Sequence, residues 1–128
     1  MDDSRINNPL PTGAFLSIHY QDRPRDFHTW RVYYEDGRVD IFDGKAWWQP
    51  RRLTADQVAQ VKQALGDCGL LTASDLSGEG IHDAATITWH WRLEDRRGKL
   101  VNAAYPAKTH PVMECAMELL LNLEDQAE

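Results

Sequence analysis

The chain's 128 residues suit one compact domain, and 42% hydrophobic with 27% charged residues is ordinary globular usage, which excludes disordered, collagen-like and disulfide-scaffold chains. Fourteen Lys and Arg against twenty Asp and Glu give a net charge of −6, the wrong sign for long-range attraction to a phosphate backbone, so nucleic acid is disfavoured as a partner. The excess is C-terminal: residues 1–64 carry nine charges of each sign, residues 65–128 five basic and eleven acidic. The opening MDDSRINNPLPTG has no basic or apolar targeting segment, and runs such as Leu119-Leu120-Leu121 are too short to span a bilayer. These features are read as a cytoplasmic chain with no membrane association.

Residues 1–13, polar and carrying Pro9, Pro11 and Gly13, read as a flexible N-terminal arm, and residues 14–128 as a single α+β domain. Leu16, Ile18 and Tyr20 alternate with Phe15, Ser17 and His19, the period of a half-buried strand. Two alternating runs between His28 and Phe42 flank Asp36-Gly37, which predicts a hairpin closed by a type I′ turn. In that register Trp30, Val32 and Tyr34 share a core-facing side with Val39 and Ile41, and Arg31 and Tyr33 point to the other. Asp43-Gly44 turns the chain into a third short strand holding Ala46, Trp47 and Trp48 before Pro50.

Thr54 with Gln57 forms a capping box, Leu53 and Val58 occupy the staple positions, and Val58, Val61 and Leu65 form the buried stripe of a first helix. Residues 72–83 are small, polar and glycine-containing, and read as a loop. Ile87, Trp89, Trp91 and Leu93 then alternate with Thr86, Thr88, His90 and Arg92, and after the turn EDRRGK the run Leu100–Tyr105 pairs back. Pro111, capped by Thr109 or His110, opens a second helix with Met113, Ala116, Met117, Leu120 and Leu123 on its buried face. Thr29-Trp30 echoes Thr88-Trp89 and Gly37-Arg38 echoes Gly98-Lys99, so the chain reads as tandem ββα units after a first strand. The expected fold is an antiparallel sheet of four to six strands with two helices packed on one face and the other face open.

Cys68 and Cys115 stand 47 residues apart outside any CxxC or Cys/His array, so buried reduced thiols are expected. The segment Asp75–Thr86 matches the opening of a calcium loop, yet its twelfth position is Thr86 rather than a bidentate Glu, and an acidic surface loop is the simpler reading. No histidine pair has the helical i, i+4 spacing of a metal site; His28 and His90 lie on strands where only the sheet can bring them together. No nucleophile motif or catalytic pair stands out, and no cofactor is implied. Trp30, Trp89 and Trp91 are assigned to the core. Trp47 and Trp48 point to opposite faces, and with Arg31, Tyr33, His90 and Arg92 they make the open sheet face the candidate surface for a partner.

The order strand, hairpin, helix, hairpin, helix across residues 14–124, with a D-G turn ahead of the L-T-x-x-Q-V helix start, resembles small bacterial domains that include the emfourin-type inhibitors of metalloproteases. Their glycine-rich opening is replaced here by Gly13-Ala14-Phe15, and no residue role is carried over. The leading expectation is a non-catalytic, inhibitor-like module that binds another protein, or a second copy of itself, through its open face. The alternatives are a small-molecule or metal-dependent enzyme using His28, His90 and loop acids such as Asp83, and a calcium-binding loop at 75–86.

Overall fold

The computed structural model describes residues 10–81 and 84–126. The element order is β1 (Ala14–Asp22), β2 (Phe27–Tyr34), β3 (Arg38–Phe42), β4 (Trp47–Arg52), α1 (Ala55–Asp67), a 3₁₀ turn (Leu70–Thr72), β5 (Ala85–Leu93), β6 (Arg96–Tyr105) and α2 (Pro111–Gln126). All six strands form one antiparallel sheet in the order β4-β3-β2-β1-β5-β6. The fold is α+β, and the hairpin-then-helix order occurs twice around the central β1.

The capping box at Thr54 is formed in full: its hydroxyl accepts the Gln57 N–H at 3.1 Å while the Gln57 side chain accepts the Thr54 N–H at 2.8 Å. Val58, Val61 and Leu65 of α1 and Met113, Ala116 and Leu120 of α2 bury against Leu16, Ile18, Tyr33, Val39, Trp89, Trp91 and Leu100 of the sheet. His110 is the cap of α2. Its Nδ1 accepts the Val112 N–H at 3.2 Å, which leaves Nε2 to donate to the Ser74 carbonyl at 2.7 Å. Among the described residues no helix is long and apolar enough to cross a membrane.

Three expectations are corrected. Cys68, at the end of α1, and Cys115, early in α2, are not free thiols but a disulfide with Cα atoms 5.8 Å apart. Nothing in a 47-residue spacing announces this pair; the side-by-side packing of the helices creates it. Just ahead of β1, Leu10 packs on Ala14, Val32 and Tyr34, and the Glu35 N–H donates to the Gly13 carbonyl at 2.8 Å. The run β5–β6 turns at Glu94-Asp95, so β6 starts at Arg96 and Gly98 lies inside a strand beneath Trp91. Gly98 is therefore not the counterpart of the turn residue Gly37.

The third correction is a change of face. The β2–β3 hairpin pairs Tyr33 with Val39 and Arg31 with Ile41, leaving three residues in the loop. The Gly37 N–H donates to the Tyr34 carbonyl at 3.0 Å and Gly37 has φ +94°, while Asp36 is not in the left-handed region a type I′ turn requires. One extra loop residue shifts the register by one, and a one-residue shift reverses every side chain of β2 relative to β3. Tyr33 is consequently fully buried under the helices and Trp30 faces the opposite side.

Candidate functional site

The sheet face away from the helices gathers side chains from all six strands. On β1, β2 and β3 the alternating residues are His19, His28, Trp30 and Phe42, and β4 adds Trp47 opposite Phe42. The His19 ring lies parallel to the Trp30 indole, with centroids 3.9 Å apart and planes within 8°. Phe42 closes on Trp47 at 5.4 Å and on Trp30 at 5.7 Å, and His28 stands 4.6 Å from Trp30. This is a small aromatic cluster on the open face, and it explains why Trp30 is buried although no helix covers it.

Two histidines in this region have lowered pKa values. Burial of the ring, reinforced by neighbouring His28 and His90, lowers the His19 pKa to about 4. Burial, then the Lys99 ammonium, lowers that of His90. His19 lies between the other two in the sheet, since β1 separates β2 from β5, so His28 and His90 are not direct cross-strand neighbours. The His19 Nε2 and His28 Nδ1 atoms face one another at 3.5 Å.

Further along the same face β5 and β6 present a basic strip. Arg92 stands directly opposite Arg97, and His90 opposite Lys99. Of the residues singled out from sequence, His90, Arg92 and Trp47 lie on this face; Trp48, cross-strand partner of Ile41, lies on the helix side at the sheet's edge with half its surface exposed. Arg31 and Tyr33 do not join them. Tyr33 is core, and its hydroxyl accepts a hydrogen bond at 3.2 Å from Nε of Arg31, on the helix side. His19, Phe42, Arg97 and Lys99 also lie on this face; alternation with Ser17 and Thr88 marks the pattern in the sequence, and the strand register is what turns it into a shared face.

Arg31 instead lines a cleft of about 310 Å³ between the sheet and α2, with Tyr20, Thr29, Trp89, Tyr105, Met113, Glu114 and Met117. Burial comes first, ahead of the Asp22 carboxylate, in raising the Tyr20 phenol above its usual pKa.

In the loop following α1, the Asp75 carboxylate accepts the Val101 N–H at 2.9 Å, and Leu76 bridges to Asn102 alongside β6. The first carboxylate of the calcium-loop pattern is thus tied to a strand edge, and the twelfth position, Thr86, lies within β5. His82 and Asp83 lie outside the described residues. Among the described residues no group of three or more His, Cys, Asp or Glu side chains is placed to hold a metal ion. No protein-family model matches the chain, and no curated protein matches it at a significant level.

Proposed function

We propose that this chain is a non-catalytic protein-binding module whose contact surface is the open sheet face, from Trp47 on the edge strand to the strip of Arg92, Arg97 and Lys99. The carrying observation is the Arg92–Arg97 pair: like charges directly opposite one another weaken a sheet. In a chain of net charge −6, a local basic strip beside aromatic side chains favours an acidic protein surface as its complement. The resemblance in element order to the emfourin-type inhibitors makes metalloproteases the first partners to assay. The test is capture and inhibition with wild-type protein and an Arg92→Glu/Arg97→Glu variant. The reading requires a partner that is lost both on charge reversal and at high salt; a partner retained by the variant overturns it.

A second reading, a small-molecule enzyme or binder, is supported by the cleft under α2, whose volume falls at the lower end of ligand pockets. Its marker is a saturable apolar dye site abolished by Met117→Trp. A homodimer through the open face or an edge strand predicts twice the chain mass in solution. The cytoplasmic reading meets one opposing observation, because disulfides such as Cys68–Cys115 persist mainly in oxidising compartments. Trapping of free thiols in intact cells discriminates the two locations.

A further inference from the structure

The approach of His19 and His28 is the least ordinary contact on the open face. Hydrogen bonds from N–H donors span about 2.7–3.2 Å, so at 3.5 Å the pair is stretched for that purpose. Two nitrogens bound to one zinc-sized ion at about 2.0–2.1 Å each, with a near-tetrahedral angle, stand about 3.3–3.4 Å apart. The observed separation is at the outer limit of a hydrogen bond and within about 0.2 Å of such a chelate bite.

We propose that His19 Nε2 and His28 Nδ1 form a two-imidazole site for a late first-row divalent cation such as Zn²⁺, Ni²⁺ or Cu²⁺. Imidazole is a favoured ligand for these ions and a poor one for Ca²⁺ and Mg²⁺. The rings come from adjacent strands, His28 opposite Gln21 and His19 opposite Trp30, so the sheet's hydrogen bonds fix the spacing of their backbones. The parallel Trp30 indole fixes the His19 ring plane. Such preorganisation lowers the entropy lost on binding. Two protein ligands leave the remaining coordination positions to water, or to a carboxylate or imidazole of a docked molecule. The inference stands apart from the protein-binding reading, because it concerns the free chain and a bare cation.

The experiment is calorimetric titration of the untagged, disulfide-intact chain with Zn²⁺ and separately with Ni²⁺, with histidine ring resonances followed by NMR. One saturable site is expected, with shifts confined to His19 and His28. That site is lost in His28→Gln and in His19→Phe, which keeps the stacked ring while removing both nitrogens, and is retained in His90→Gln and His82→Gln. Circular dichroism and tryptophan fluorescence establish that each variant is folded. If His19→Phe fails to fold, His28→Gln and the NMR shifts decide. Absence of saturable binding overturns the proposal, as does binding that survives loss of either imidazole.

Discussion

Leu53 closes over Gly37: its N–H donates to the Gly37 carbonyl at 2.8 Å, and a Cβ at position 37 would overlap the Leu53 carbonyl. With φ at +94°, Gly37 has both a backbone conformation and a contact that no other residue accepts without strain. The residue that sets the β2–β3 register is thereby tied to the entry of α1. Gly37→Ala is expected to destabilise by at least about 1–2 kcal/mol, through positive φ and overlap together. Gly66→Ala, inside α1 with open space around it, is expected to stabilise by about 0.4–1 kcal/mol. Urea unfolding of the two variants must move the midpoint in opposite directions.

The disulfide closes a span of 47 residues that includes the 3₁₀ turn, the loop, and strands β5 and β6. In the chain-entropy account, a loop of that length restricts the unfolded state by about 4 kcal/mol. Reduction, or Cys68→Ala/Cys115→Ala, should lower the urea midpoint correspondingly. Native protein purified without reductant should show no thiols with Ellman's reagent.

His19 imposes a direction on the pH dependence of stability. Its folded pKa, about 4, lies below the unfolded value near 6.5, so the unfolded chain binds the proton more readily. Its contribution is fully present above pH 6.5 and is lost as pH falls towards 4, and His90 adds in the same direction. Because the His19 ring is only half-buried, solvent screening limits the loss to about 1–2 kcal/mol. Thermal melts in the presence of a chelator should show the melting temperature of wild type falling across that window, and a shallower fall for His19→Phe.

His110 joins two pieces of chain through one ring, capping α2 at Val112 and holding the Ser74 carbonyl. His110→Ala leaves the Ser74 carbonyl and a helix N–H without these partners, an expected cost of about 0.5–2 kcal/mol. Hydrogen exchange should show faster opening at the start of α2 and in the loop around Ser74.

Trp89 and Trp48 separate burial from composition. Trp89 is almost wholly buried between sheet and helices, and its truncation to Ala should cost about 3–5 kcal/mol. Trp48 has half its surface exposed, so Trp48→Ala should change stability by no more than about 0.5 kcal/mol. Parallel denaturation curves check both.

Local pattern in the sequence determined the elements. The capping box at Thr54, the stripe Val58-Val61-Leu65 and the alternation of Ile87-Trp89-Trp91-Leu93 are each written within about a dozen residues, where propensity and periodicity operate. They placed His90 and Arg92 on the open face, because β5 has polar residues on one side and large apolar ones on the other. β2 carries aromatic residues on both sides, so alternation there is silent about which side meets the helices. The loop length at Gly37 and the pairing of Tyr33 with Val39 decided it, burying Tyr33 and sending Trp30 outwards to His19. Likewise no local signal links Cys68 to Cys115 or His19 to His28; those contacts exist because helix packing and strand register bring distant positions within bonding range.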